Sequence, residues 1–122
     1  MPTTLHRVVA LAAAALFLAG SQPAETAPPF PIVLSGIDCN DYSGQCYLTD
    51  WTLESDGRFG ETWGFVGDWY YNQPNSVLTM KYDGGQGWGY VYSGVRIAGT
   101  SCYYGIVLDK FGQEAGEFQA CH

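Results

Sequence analysis

The side chains best suited to chemistry in this chain are few, and Glu61 leads them. It stands in Arg58-Phe59-Gly60-Glu61-Thr62-Trp63-Gly64-Phe65. Side chains two apart share a strand face, so alternation puts Glu61 in phase with Phe59, Trp63 and Phe65. If that face is interior, Glu61 is a carboxyl among aromatic rings, and desolvation raises its pKa. Asp50 and Glu54 lie one strand earlier and could approach it; paired carboxylates among aromatics would suit glycoside hydrolysis. The plainer expectation is a Glu61 solvated near a strand rim or paired with Arg58 or Arg96, since charges are rarely fully buried. Asp38-Cys39-Asn40-Asp41-Tyr42-Ser43-Gly44 offers oxygen ligands in a turn. Tyr42 and Ser43, however, stand where an EF-hand needs a ligand and its glycine, so Asx-turn chemistry is the preferred reading.

Other catalytic inventories are missing. Apart from His6 near the start, the one histidine is His122, so no internal imidazole is at hand as a general base. There is no Gly-x-Ser-x-Gly and no phosphate loop. The four cysteines, Cys39, Cys46, Cys102 and Cys121, are not spaced as Cys-x-x-Cys, which argues against zinc. An even count in a small exported domain reads as two disulfides. Of the three connectivities, Cys39–Cys46 and Cys102–Cys121 are preferred, because each pair brackets a turn and would close a hairpin across facing strands. No metal, no cofactor and no enzymatic activity are expected.

The first residues bear on the compartment. His6 and Arg7 precede an apolar run over 8–19, followed by Ala19-Gly20-Ser21. A basic start, a short apolar centre and small residues after it predict a signal peptide over 1–21, cleaved after Ser21. The run is too short to span a bilayer. Residues 22–31 form a Pro/Ala-rich arm, and 32–122 the single folded domain. The predicted location is secreted or periplasmic. Once Arg7 is removed, Arg58, Lys81, Arg96 and Lys110 face 12 acidic residues, a net charge of about −8. That excludes nucleic acid as a natural partner and fits an acidic, soluble protein.

The elements that must hold these residues are short aromatic strands set between glycine-rich turns. Strands are predicted over 32–35, 46–54, 58–66, 68–72, 77–83, 88–93, 95–100, 102–108 and 117–121, the 102–108 segment being either its own strand or a continuation of 95–100. Gly67 is read as a break between the third and fourth. Aromatic and β-branched residues fit a half-buried pleated surface, and turn signals every 8–12 residues mark an all-β barrel or sandwich. Closure removes the edges of so small a sheet. The expected fold is therefore a small antiparallel up-and-down β-barrel of about eight strands, stapled by disulfides. Glycines within strands, Gly60, Gly64, Gly89 and Gly105, are attributed to tight coiling or close packing. Of the consecutive Trp69-Tyr70-Tyr71 and Tyr103-Tyr104, some rings must face outward.

The order Ser55-Asp56-Gly57, Gly67-Asp68-Trp69, Leu78-Thr79-Met80-Lys81-Tyr82, Gly84–Gly87 and Gly94 to Thr100 resembles small secreted meander barrels of the avidin/lipocalin, calycin-like type. That resemblance covers most of the folded chain and implies a barrel that binds in its mouth. The opening Gly-x-Trp of lipocalins is absent near Ile32, and no biotin-site pattern is present, so biotin binding is not implied. Barrel-type bacterial protease inhibitors are a second similar group. The expected function is non-enzymatic binding of a small apolar or amphipathic ligand, or of a protein, at the barrel mouth. Trp63, Phe65, Trp69, Met80, Tyr90 and Tyr92 would line the pocket, with Glu61 as polar anchor. An extracellular enzyme inhibitor or interaction module is the alternative, and a carboxylate-dependent glycosidase-like enzyme the third.

Overall fold

The computed structural model describes residues 29–84 and 89–122. Eight antiparallel strands follow in chain order: β1 (Ile32–Asn40), β2 (Gln45–Leu53), β3 (Arg58–Glu61), β4 (Val66–Asn72), β5 (Val77–Tyr82), β6 (Val91–Arg96), β7 (Cys102–Leu108) and β8 (Glu114–Cys121). Each pairs with the next, and β8 returns to β1 from Ser35↔Cys121 to Asn40↔Gly116, closing the barrel. This is the up-and-down architecture the sequence predicts. The predicted signal peptide, most of the predicted arm, and Trp88 lie outside the described residues.

Alternate connections fall at opposite ends. The β1–β2, β3–β4, β5–β6 and β7–β8 connections surround one end, here termed the mouth. The other end, the base, carries the remaining connections together with Phe30 and His122. A 3-10 turn at Gln73–Asn75 lies between β4 and β5.

Several strand boundaries differ from expectation: β6 runs Val91–Arg96 rather than 88–93, β8 begins at Glu114 rather than 117, and four further differences have a visible cause. The first strand runs on to Asn40, because Cys39 faces Cys46 directly across the hairpin. The third stops at Glu61. There Glu61 Oε1 accepts the backbone N–H groups of Trp63 (2.9 Å) and Phe65 (3.0 Å), and Gly64 sits at φ +94°, so the chain reverses. Gly67 does not break a strand; it pairs with both Phe59 and Tyr82 inside β4. The predicted strand over 95–100 is the end of β6 followed by a turn. In that turn Thr100 donates from its backbone and hydroxyl to the Ile97 carbonyl, and Gly99 takes φ +76°.

Both disulfides join directly facing residues. Cys39–Cys46 staples the mouth end of β1–β2, and Cys102–Cys121 staples the base end of β7–β8. Two such crosslinks fit an oxidising compartment. Among the described residues no helix is long and apolar enough to cross a membrane.

The core follows the predicted alternation. Trp51 is fully buried at the centre of the barrel and meets Tyr92 and Phe118 edge-on, with centroids 6.2 and 5.9 Å away. Phe118 fills the space left by Gly94, which faces Gly105 across β6 and β7. A Cβ on Gly105 would overlap the Ser93 carbonyl, so the close-packing explanation holds there. It does not hold for Gly60, where a Cβ meets nothing nearer than 3.9 Å, and Gly64 and Gly89 have positive φ. Outside the barrel, Arg58 ties β3 to β4 and to the end of β5: its guanidinium reaches Asp68 at 2.9 Å and both oxygens of Asp83 at 3.0 and 2.7 Å.

Candidate functional site: the barrel mouth

The mouth holds a cavity of about 410 Å³. One wall is the end of β1, with Asp38, Cys39 and Asn40, beside Tyr47 of β2. The next is Glu61 with Trp63 and Phe65 of the turn that follows it. Tyr82, Tyr90 and Tyr92 supply the third, and Val107 and Ala115 the fourth. The hollow has a local cause. The chain reversal after Glu61 carries Trp63 to the rim, where it is 57% exposed, and β7 and β8 present only small side chains at this height.

Neighbouring segments of the rim are tied together. Asn40 Oδ1 accepts the backbone N–H groups of Tyr42 and Ser43, forming the Asx turn expected there. Tyr42 then donates its hydroxyl to Asp109 of the neighbouring β7–β8 connection (2.9 Å), and Asp109 in turn accepts the N–H groups of Phe111 and Gln113. Trp63 meets Tyr47 edge-on at 5.9 Å, and its indole N–H donates to Thr49.

Two carboxylates enter this aromatic setting. Glu61 uses Oε1 to receive two backbone N–H groups, while Asp38 accepts the Tyr92 hydroxyl at 2.6 Å. Below them Tyr82 stacks on Tyr92 (4.8 Å), and the Trp51 indole N–H donates to the Tyr82 hydroxyl. Trp51, Tyr82, Tyr92 and Asp38 thus follow one another from the centre of the core to the mouth, the middle link being a ring stack. Burial raises the pKa of Asp38, partly offset by the Tyr92 hydroxyl. Burial also raises that of Glu61, against the two backbone donors, and the nearby Asp38 charge adds to the rise. Burial pushes both Tyr82 and Tyr92 far above the usual phenol range. No lysine, arginine or histidine is among the described lining residues. Arg58 is committed to Asp68 and Asp83 outside, and Arg96 lies at the base, so neither pairs with Glu61.

Of the expected lining, the structure brings Glu61, Trp63, Phe65, Tyr90 and Tyr92 together at the mouth. It separates Trp69 and Met80 from them. Met80 is fully buried in the core. Trp69, paired with it in register, points toward the base; there its indole donates to the Glu54 carbonyl and its ring meets Phe30 at 5.8 Å. The carboxylate that joins Glu61 is Asp38, not Asp50 or Glu54, which are both exposed. Sequence reading does not bring Asp38 inside, because it ends the first strand at Ser35. Continued alternation from Leu34 through Gly36 would have placed it inside. Tyr70 is exposed, and Tyr103 is buried while Tyr104 faces Glu117 on the outer surface.

Searches of protein-family models, curated proteins and solved structures find no match to this chain.

Proposed function

We propose that this protein is a non-enzymatic binding protein that takes a small amphipathic ligand into the barrel mouth. The observation that carries the reading is the cavity of about 410 Å³, walled by Trp63, Phe65, Tyr90 and Tyr92 and holding Asp38 and Glu61. Its volume falls at the small end of the range for small-molecule sites, and an apolar wall with a few placed polar groups is what such sites present. The rim contacts through Tyr42 and Asp109 hold the mouth in shape before a ligand arrives, which lowers the entropy cost of binding. An exported carrier also accords with the predicted leader and the two disulfides.

Native mass spectrometry of the protein from its natural source tests this. The expected result is a population carrying a non-covalent small-molecule mass above that of the two-disulfide chain. Ala115→Leu, which fills the mouth from β8, should strip that mass while leaving the fold intact by near-ultraviolet circular dichroism. A bare chain throughout, or a bound mass indifferent to Ala115→Leu, would count against the mouth as the binding site.

A further inference from the structure

Resting on the barrel-mouth reading, we infer that the ligand is an organic cation: an ammonium group carried on a compact aromatic or apolar body. The argument begins with charge. Two carboxylates share a half-enclosed cavity, and no basic side chain among the described lining residues neutralises them. Each keeps accepting capacity: Glu61 receives its two donors on Oε1 and Asp38 its one on Oδ2, so Oε2 and Oδ1 have no donor among the described residues. A cleft lined by one sign of charge concentrates the opposite sign. A bound ammonium supplies the donors these oxygens lack and the positive charge the cavity lacks.

The walls point the same way independently. Indole and phenol rings present the negative faces that attract a cation, and Trp63, Tyr47, Tyr90 and Tyr92 surround the space beside the carboxylates. Phe65 and Val107 then give the uncharged part of the molecule an apolar seat. A neutral lipid would desolvate both carboxylates and leave Glu61 Oε2 and Asp38 Oδ1 without a donor, and an anion would be repelled by them and by the net charge of the whole chain.

A matched probe series separates the class of ligand from the existence of the site. 2-Phenylethylammonium, 2-phenylethanol and 3-phenylpropanoate share a phenyl body and differ in charge. Isothermal titration, with the Trp63 indole N–H resonance as a positional marker, should show the ammonium binding at least about tenfold more tightly than the alcohol, and the carboxylate not binding. Asp38→Asn and Glu61→Gln, which keep shape and the existing accepted hydrogen bonds, should each remove about tenfold of ammonium affinity and leave the alcohol unchanged. Equal binding of ammonium and alcohol, or ammonium affinity indifferent to both substitutions, would overturn the cation inference while the barrel-mouth reading stands. If none of the three moves the Trp63 resonance at millimolar concentration, the barrel-mouth reading falls as well.

Discussion

The two ends of this barrel are built from similar residues and end up as opposites. At the base Trp69, Phe30, Leu53 and Leu78 close the interior, and Tyr71 meets Tyr103 edge-on at 6.3 Å. At the mouth an equally aromatic set leaves a hollow. The difference lies in backbone placement rather than composition. At the base Trp69, Tyr71 and Tyr103 come from strand positions, with Phe30 packed beside Trp69. At the mouth, Trp63 and Phe65 follow a chain reversal that Glu61 itself caps, so the rings stand around the opening. Aromatic content therefore reports a barrel, whereas a glycine turn in the middle of an aromatic run reports where that barrel stays open.

The sharpest way to test the contrast is to cut the staple at each end. The base disulfide spans 19 residues and the mouth disulfide 7. Chain-entropy arithmetic gives losses of about 3 kcal/mol for Cys102→Ser with Cys121→Ser, and about 2 kcal/mol for Cys39→Ser with Cys46→Ser. Urea denaturation of the two double variants should preserve that order. A larger loss at the mouth would mean that the mouth, not the base, holds the fold together.

A smaller effect is expected from exchanging one tryptophan at each end. Trp69→Ala removes a packed ring and its bond to the Glu54 carbonyl, and should cost about 2 kcal/mol. Trp63→Ala removes a largely exposed ring and should cost less than about 1 kcal/mol in stability, while abolishing probe binding. Comparable losses from the two would erase the distinction between a structural base and a functional mouth.

The smallest effect distinguishes the ends by pH. Asp38 and Glu61 hold their protons to higher pH in the folded chain than their ordinary values of 3.8 and 4.5, chiefly through burial. Between ordinary and folded values the native state binds more protons, so their contribution grows less favourable as pH rises, with the full penalty above that window. The groups facing them are Tyr47 on β2, Tyr82 on β5, Tyr90 just before β6 and Tyr92 on β6. Asp83, held low by Arg58, and Asp109, held low first by the Gln113 N–H, run the other way. Their stabilisation is present above the ordinary carboxylate value and is lost as pH falls through their folded values. The Asp38→Asn, Glu61→Gln double variant should therefore have a higher urea midpoint than wild type at pH 7. The advantage should vanish near pH 3 or below, roughly where both carboxyls are protonated in either state. An advantage that persists at low pH would show that the two carboxylates are not what the mouth strains against.

Much of this was legible in the chain itself. Alternating aromatics and glycine turns specify the meander, and the bracketed turns specify both cysteine pairings. Alternation also gives the face of each residue correctly at Phe59, Leu78, Met80 and Tyr92. It does not give height along the barrel axis, which depends on strand register and stagger. Alternation therefore puts Met80 and Trp69 on the right face and at the wrong level. The missed Asp38 has a related cause. The Cys39–Cys46 pairing already implies that Asp38 faces Tyr47 in a continuous ladder, but the run of Asp, Asn and Ser after Ile37 reads locally as a turn. A long-range crosslink was the better guide to strand length there than composition.

The arrangement of the chain ends has a practical side. With an even number of strands, the described chain enters beside Trp69 at Phe30 and leaves at His122, whose backbone bonds Ser101 on the same face of the barrel. An affinity handle, a fusion partner or a sensor chip coupled there would sit behind the molecule. Every copy on such a support would then look outward with its mouth uncovered, so captured protein can be screened against soluble compounds without the attachment shielding the opening.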